Sequence, residues 1–349
     1  MKRQFLTVLI VLVTLFGSTA AFAESPTHPI RVGMIGLDTS HVVAFTRIMN
    51  NPEATGALKN VHVAAAWPGG NPDFPLSRDR VKSFTQRVKD MGVEIVDSIE
   101  DLLPRVDAVL LESVDGSQHL EQVRPVFEAG KPVFIDKPLT ASLVDAVAIY
   151  ELGKKHNVPW FSASSSRFTP GYRELSDDER IGKVLGCDAY SQSRAAPFHP
   201  DLFWYGVHGV DVLYEVMGRG CTSVTAVQTR YTESVCGVWN DGRVGRFRSI
   251  REHTGKTGLG VVVFGTKGIV YHNRYYDYAP LCAEIAEFFK TRKPPIAPEE
   301  TLEVFAFMEA AEESKRRNGV PVNIAEVMAK AKQSPTSLGL TPSELINGR

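Results

Sequence analysis

The residues of this chain best suited to chemistry lie in Phe134–Leu139, where an apolar run ends in an acid, a lysine and a proline. In open α/β sheets, ligands bind outside the carboxyl ends of the strands, and a proline fixes the backbone at such a point. Lys137 could therefore offer a hydrogen bond and a positive charge to a reacting oxygen. The alternative is a solvated lysine with no chemical role.

Two further segments contain residues that could form a site together with Lys137. Ile30–Gly36 is typical of a first strand that runs into a glycine turn, and Tyr205–Asp211 places His208 on an apolar helix. Histidine titrates near neutral pH and can act as a general acid or base, although a histidine on such a helix can also be a hydrogen-bonded core residue. Together the three segments indicate a nucleotide-type domain, a reactive lysine and a histidine from a second domain.

Short apolar runs alternate with amphipathic segments through residues 28–163. This alternation predicts right-handed βαβ units and a Rossmann-like, doubly wound α/β domain that binds a nucleotide. The predicted strands after the first lie at 61–67, 93–96, 107–111, 133–135 and 160–163.

Residues 164–325 have a different pattern, in which strands follow one another with few helices between them. The pattern predicts an α+β domain with a mostly antiparallel, open-faced sheet, used for substrate binding and oligomerisation. A polar C-terminal tail is predicted at 326–349. The strands are expected at 184–194, 223–231, 235–239, 246–253 and 259–264, and the helices at 204–217, 279–291 and 298–318.

The N-terminus has the features of an export signal. Residues 1–23 combine the basic pair Lys2-Arg3, the apolar run Phe5–Phe16 and a small-x-small cleavage site at Ala21–Ala23. We therefore expect a signal peptide and an exported protein, periplasmic or extracellular, without stable membrane insertion after cleavage. An uncleaved anchor helix is the alternative, and the export route stays open.

Composition excludes some classes of partner. The 39 basic and 40 acidic residues give a net charge of -1, which offers no electrostatic footprint for nucleic acid. The four cysteines show no CxxC and no metal-ligand spacing, so no metal site is predicted. We expect small buried core residues, with a Cys221–Cys236 bridge possible if their strands are neighbours.

These features resemble the Gfo/Idh/MocA family of glucose-fructose oxidoreductases, inositol dehydrogenases and their relatives. The resemblance covers about 28–325. It rests on Asp136-Lys137-Pro138, on the Gly-x-His-x-x-Asp pattern at 206–211, and on the later segments 263–268 and 299–311. A single such motif would be weak, but several occur here in the family's order.

The resemblance implies NAD or NADP in the first domain and oxidation or reduction of a sugar or polyol. Lys137 would orient the substrate and relay a proton, and His208 would be the general acid/base. Arg167 could instead form a salt bridge, His119 could cap a helix, and Asp211 could be a positioning partner. The cofactor-binding residues would be Gly36, Asp38, Thr39, Ser40, His41, Ser113, His119 and Asp136. The substrate-binding residues would be Arg167, Trp204, Tyr205 and Asp211.

The chain departs from the family in its phosphate loop. Instead of G-x-G-x-x-G, it has Gly36 to His41, of which only the first glycine matches. A carboxylate at Asp38 is expected to repel pyrophosphate, so that Asp38→Gly would strengthen dinucleotide binding. The alternative is that Asp38, Thr39 or Ser40 caps the following helix.

Two further departures concern the ribose and the proton relay. No acid ends the second strand at residues 66–70, where the family holds the ribose diol. Trp204 stands where family dehydrogenases often have an aspartate four residues before the helix histidine.

The leading hypothesis is therefore an exported NAD(P)-dependent oxidoreductase acting on a sugar, polyol or glycoside. The alternatives are a sugar lyase or glycoside hydrolase with tightly bound or no nicotinamide, and a catalytically silent sugar-binding protein. The open sheet face predicts a homo-oligomer, either a dimer or a tetramer.

Overall fold

The computed structural model describes residues 28–194, 196–252, 258–334 and 336. The predicted signal peptide lies outside the described residues, as does most of the tail beyond Ser334. None of the described helices is long and apolar enough to cross a membrane.

The first domain is built on a parallel six-stranded sheet in the order β3-β2-β1-β4-β5-β6. Its central strands are apolar and buried on both faces, as expected where helices cover both sides of a parallel sheet. The strand order reverses between β1 and β4, the point at which doubly wound sheets bind ligands. The strands are β1 Ile30–Ile35, β2 Val61–Trp67, β3 Glu94–Ile95, β4 Ala108–Leu111, β5 Val133–Asp136 and β6 Trp160–Ala163.

Helices connect these strands, so the predicted Rossmann-like α/β class is confirmed. The first helix begins after Thr39, whose side chain caps it by accepting from the His41 backbone N–H, and another begins after Ser142, which accepts from Asp145. The helices are α1 Ser40–Met49, α2 Pro75–Arg78, α3 Val81–Asp90, α4 Ile99–Leu102, α5 His119–Glu128 and α6 Leu143–Lys155.

The second domain contains a seven-stranded sheet in the order β12-β11-β7-β10-β9-β8-β13. Every neighbouring pair is antiparallel except β7 and β10, which are parallel. The predicted mostly antiparallel sheet is thus confirmed. Its strands are β7 Val184–Gln192, β8 Cys221–Gln228, β9 Thr232–Trp239, β10 Val244–Ile250, β11 Gly260–Gly265, β12 Ile269–His272 and β13 Val322–Asn323.

Within the described residues, four further α-helices complete the fold: α7 Val207–Met217, α8 Ala279–Thr291, α9 Pro298–Arg316 and α10 Ile324–Lys332. Helix α7 packs on one face of the second sheet, against β7 and β10. Helix α8 returns to the first domain, where its apolar residues join the core around β1 and α1. The predicted tail at 326–349 begins inside α10, which packs against α9 and α6, so the folded part extends to Lys332.

All four cysteines are free. Strands β8 and β9 are neighbours, but Cys221 lies opposite Trp239 and Cys236 lies opposite Thr225. The register therefore keeps the two thiols from facing each other across the strand pair, and the expectation of unpaired cysteines agrees with the structure.

Candidate active site

A cavity of about 430 Å³ lies between the two domains, at the carboxyl end of the first sheet. Residues of both domains line it, and the set includes both side chains predicted to be catalytic. The first domain contributes Thr39, Ser40, His41 and Lys137, and the second contributes Trp204, Tyr205 and His208.

Lys137 reaches the cavity because β5 ends immediately before it. Val133 to Ile135 are fully buried, whereas Lys137 is only half-buried, and the Lys137–Pro138 peptide bond is cis. The strand thus fixes the backbone, while the ammonium group faces the space between the domains. Lys137 therefore lies at a strand end and lines the cavity between the domains, the position that the sequence predicts.

His208 lies in the first turn of α7, and hydrogen bonds fix its ring. Its Nδ1 is 2.6 Å from the Oγ of Ser164, and the backbone N–H of Ser164 donates to Asp211 Oδ2 at 2.7 Å. A serine hydroxyl can donate or accept, so this contact permits both neutral tautomers of the imidazole. Burial, followed by the charges of Lys137 and His41, lowers the pKa of His208 to about 3. The ring is therefore neutral at physiological pH.

Arg167 lies behind the cavity, where it contacts acidic side chains. It is 5% exposed and pairs with Asp211 at 2.8 Å, with Glu215 at 2.6 Å and with Glu300. The prediction that Arg167 and Asp211 contact substrate is corrected, because their charges are used in this buried network. Trp204 and Tyr205 do line the cavity, as expected.

The glycine of the phosphate loop serves the packing of the fold. Gly36 has φ +84°, and a Cβ there would lie 2.2 Å from the Oγ of Ser113. The Gly36 N–H donates to the Trp67 carbonyl at 3.0 Å, and the Leu37 N–H donates to the Pro68 carbonyl at 2.7 Å. These two amides are thus occupied by the loop that follows β2.

Asp38 is buried and points into the protein, which corrects the expectation that it repels phosphate. Its Oδ1 accepts from the Val114 N–H at 2.8 Å, and its Oδ2 accepts from the Ser77 hydroxyl at 2.6 Å. Burial raises the pKa of this carboxyl, and the two hydrogen bonds oppose that rise. The side chain links the loops after β1, β2 and β4, whereas Thr39 provides the helix cap.

We expect Asp38→Ala to lower the free energy of unfolding by about 1–3 kcal/mol for each buried donor left unpaired. Asp38→Asn, which keeps one acceptor oxygen, should cost less. The measurement is urea unfolding, with the exposed Asp73→Ala as control. Loss of stability no greater than that of the control would contradict this role.

We also expect no gain in dinucleotide affinity from Asp38→Gly, because the carboxylate is already engaged inside the protein.

Ser113 and His119 also lie behind the cavity wall. The Ser113 hydroxyl donates to Gln122 Oε1 at 2.7 Å. The ring nitrogens of His119 contact the carbonyl oxygens of Leu139 at 2.9 Å and Ser113 at 2.8 Å. The predicted cofactor contacts of these residues are corrected, since His119 links the loops after β4 and β5 and begins α5.

The other places where a dinucleotide is usually held are altered. Trp67 ends β2 and donates its indole N–H to the Asp97 carbonyl at 3.1 Å, so no carboxylate stands there for a ribose diol. The start of α1, from Thr39 to His41, still borders the cavity that contains Lys137 and His208. The residues present therefore fit the nicotinamide half of a dinucleotide better than its adenosine half.

Two buried acidic side chains lie next to His41, where the start of α1 borders the cavity. His41 Nδ1 lies 2.7 Å from Asp136 Oδ2 and 3.9 Å from Glu112 Oε2. Burial, together with the charge of Asp136, raises the pKa of Glu112 well above its usual value. Burial alone would also raise the pKa of Asp136, but His41 and Lys137 bring it below its ordinary value. Asp136, predicted to touch the cofactor, contacts His41 instead.

Sequence reasoning missed several residues of the site. Glu112 follows the apolar strand β4 directly and belongs to no recognised motif, and its only signal is an acid at a strand end. Further cavity-lining residues without a motif are Ser165, Ser166, Ser191, Gln192 and Tyr278. Tyr275 also lines the cavity, and its aromatic ring is suited to stacking on a sugar.

Residues 30–164 match the GFO_IDH_MocA family model, described as an oxidoreductase family with an NAD-binding Rossmann fold. An inositol 2-dehydrogenase of Rhodococcus jostii (strain RHA1) is 30% identical over 70% of this chain and 62% of its own length. Inositol 2-dehydrogenase 3 of Saccharopolyspora erythraea is 27% identical over 58% of each chain. The matched region thus spans about three fifths of each of these two relatives.

Solved structures share the fold. A probable dehydrogenase from Thermotoga maritima has a TM-score of 0.70 at 20% identity, covering 85% of this chain and 100% of that one. Scyllo-inositol dehydrogenase from Lactobacillus casei, with bound NAD(H) and scyllo-inositol, has a TM-score of 0.68 at 19% identity, with 85% and 99% covered. These structures show the fold, whereas the family model matched by residues 30–164, the inositol 2-dehydrogenase relatives and the motifs around Lys137 and His208 show that the chain belongs to the Gfo/Idh/MocA family.

Proposed function

We propose that this protein is an NAD(P)-dependent oxidoreductase that interconverts a hydroxyl and a carbonyl group on a polyol or sugar. The observation that carries the proposal is that Lys137 and His208, from different domains, line one cavity. The rings of Trp204, Tyr205 and Tyr275 line the same cavity and offer apolar faces to a sugar ring. The inositol dehydrogenases among the relatives support a polyol as substrate.

The two side chains divide the proton chemistry. Lys137 donates a hydrogen bond to the reacting oxygen, and its charge favours the alkoxide that forms as the hydroxyl proton leaves. His208 is neutral and would accept that proton on Nε2 in oxidation, in the tautomer whose Nδ1–H donates to Ser164. In reduction the protonated ring returns it. A bound nicotinamide, bordered by Thr39, Ser40 and His41, would supply the hydride acceptor.

The test is turnover of a panel of inositol isomers, monosaccharides and glycosides with NAD⁺ or NADP⁺, followed by the absorbance of reduced nicotinamide. Acid release of nucleotide from the purified protein is measured in parallel, because a tightly held cofactor need not exchange. We expect turnover with at least one cyclic polyol or sugar. Absence of both turnover and bound nucleotide would overturn the proposal.

A second candidate is a sugar lyase or hydrolase that works without a nicotinamide. Two observations favour this candidate. The backbone N–H groups of Gly36 and Leu37 already donate to carbonyl oxygens of the protein. The acids Glu112 and Asp136 are buried where the strand order reverses, and acids disfavour a diphosphate there. Release of an unsaturated sugar or a free aglycone, without reduced nicotinamide, would identify this activity. Ligand binding without any product would instead indicate a silent sugar-binding protein.

The low pKa of His208 predicts an unusual pH profile. The charged groups around the ring are Lys137, His41 and Asp136. A lowered pKa keeps the ring neutral, and hence able to accept a proton, as the pH falls. Values of kcat/KM for oxidation should therefore not decline through protonation of His208 between about pH 8 and 5, unlike an imidazole with a pKa of about 6.5. An acid limb near pH 6.5, with the His208 imidazole titrating at that pH by NMR, would contradict this expectation.

We further propose export and self-association. The pattern of residues 1–23 supports export, and cell fractionation of the full-length protein tests it.

The sheet of the second domain exposes Leu185, Val238 and Val244, which supports a dimer or tetramer through that face. Light scattering should show an oligomer that Val244→Glu weakens and Val320→Glu, a control at an exposed turn, does not. A monomeric wild-type protein would reject the idea.

A further inference from the structure

A cluster of three buried ionisable side chains lies at the carboxyl end of the first sheet, beside the cavity. One ligand atom from each of His41, Glu112 and Asp136 lies within 4.8 Å of the others. His41 belongs to the first turn of α1, Glu112 follows β4, and Asp136 ends β5. Because β1, β4 and β5 are neighbours in the sheet, the fold holds the three side chains in place.

Glu112 is the member whose surroundings call for a ligand. It is 0% exposed, and neither of its carboxylate oxygens has a hydrogen-bond partner among the described residues. Oδ1 of Asp136 is likewise buried without a partner there. Burying a carboxylate without partners is costly, so such groups are normally paired or coordinate a metal.

The surrounding charges favour a cation over an anion. Asp136 and Asp38 both act on Glu112 as neighbouring negative charges, and Lys137 is the opposing cation. The carboxyl groups of Glu112 and Asp136 thus lie together near the point where the strand order reverses. A divalent cation would be attracted by them.

We propose that His41, Glu112 and Asp136 bind one divalent cation of the Zn²⁺ or Mn²⁺ type. One imidazole nitrogen and two carboxylate oxygens suit these ions, whereas Mg²⁺ and Ca²⁺ prefer oxygen alone. Metal–ligand bonds of about 2.0–2.2 Å place ligand atoms roughly 3.4 Å apart. The His41–Asp136 contact must open slightly and Glu112 must approach, both by side-chain rotation. Since His41 also lines the cavity, the ion would lie next to the substrate space.

No regular spacing in the sequence announces this site, because its ligands come from three distant segments. The geometry and burial of the three side chains are independent of the proposed hydride transfer. Metal binding can therefore be tested without substrate or dinucleotide.

The experiment uses the full chain, purified without a polyhistidine tag and stripped with a chelator. Mn²⁺ or Zn²⁺ is added, and binding is followed by calorimetry and, for Mn²⁺, by electron paramagnetic resonance. We expect one ion per chain and a higher unfolding temperature, since a ligand that binds only the folded state stabilises it. Mg²⁺ should bind more weakly.

The matched variants are Glu112→Gln and Glu233→Gln. Glu233 is also 0% exposed, but it lies in the second domain and pairs with Lys315 at 2.9 Å. Loss of an outer-shell partner alone costs about 10–100-fold in metal affinity, so we expect Glu112→Gln to weaken binding by at least ~100-fold. Glu233→Gln should bind as the wild type does.

A third variant separates loss of the site from loss of the fold. His41→Phe removes Nδ1 while keeping a ring that can stack on Phe45 and contact Tyr278. It should remain folded by circular dichroism and bind at least ~100-fold more weakly, as Glu112→Gln does. Absence of stoichiometric uptake by the wild type, or wild-type affinity in Glu112→Gln, would overturn the proposal. In that case the cluster is an ion pair beside a protonated Glu112.

Discussion

Replacing His208 or Lys137 by alanine is expected to reduce kcat/KM by about a hundred- to ten-thousand-fold, the usual contribution of a general acid or base. The two side chains line the same cavity, Lys137 directly after β5 and His208 in the first turn of α7, and neither belongs to the apolar core of its domain. Circular dichroism and the urea midpoint should therefore change little. The measurement is steady-state turnover with the polyol or sugar that proves best.

Conservative variants separate chemistry from packing. His208→Gln can keep the contact with Ser164 but cannot take up a proton, so it should be nearly as inactive as His208→Ala. Lys137→Arg keeps a positive charge and should recover part of the activity. The controls are His62→Ala on β2 and Lys131→Ala, which precedes β5. Near-normal rates in His208→Ala would remove this residue from the mechanism.

The parts of this fold that sequence could predict are those encoded by local pattern. Apolar runs such as 108–111 and 133–135 became buried strands, because a sheet covered on both faces accommodates them. The motif that places Lys137 at a strand end and the helix that carries His208 were recognisable for the same reason. Their meeting in one cavity was expected from the family resemblance, because no local pattern shows that α7 lies near the end of β5.

The parts that sequence could not predict depend on contacts between distant segments. Asp38 looked like a surface carboxylate in a phosphate loop, yet its partners, Ser77 and Val114, lie after other strands. Helix α8 has an apolar face, but nothing local shows that this face returns to the first domain. Glu112 gave only a weak signal, because an isolated acid after a strand is common.

The contacts of Arg167 could not be predicted from the sequence either, and replacing this residue should have a large effect on stability. Its three carboxylate partners, Asp211, Glu215 and Glu300, lie on α7 and α9, far from it in sequence. We expect Arg167→Met to lower the free energy of unfolding by about 3–5 kcal/mol, because it leaves buried carboxylates without their cation. The control is Arg173→Met: Arg173 is 42% exposed, contacts Glu215 at 3.6 Å and Glu284 at 2.6 Å, and should cost at most about 1 kcal/mol.

The pH dependence of that loss distinguishes a charge effect from a packing effect. Burial already raises the pKa of Asp211 and of Glu215, while Arg167 opposes the rise. Without the arginine, both pKa values rise further above those of the unfolded chain, so the folded state binds more protons than the unfolded one. The stability lost on replacing Arg167 by Met, relative to the wild type, should then become smaller as the pH falls from 7 toward about 5, whereas the loss from a packing defect would be independent of pH.

The same variant should also affect catalysis through position. Asp211 accepts both from Arg167 and from the backbone N–H of Ser164, whose hydroxyl contacts His208. Releasing Asp211 should loosen Ser164 and thereby lower kcat more than it raises KM, because the imidazole is misplaced while the sugar-binding rings remain. Arg167→Lys, which restores one charge, should recover stability in part. Wild-type kcat in a folded Arg167→Met protein would show that the network supports the fold alone.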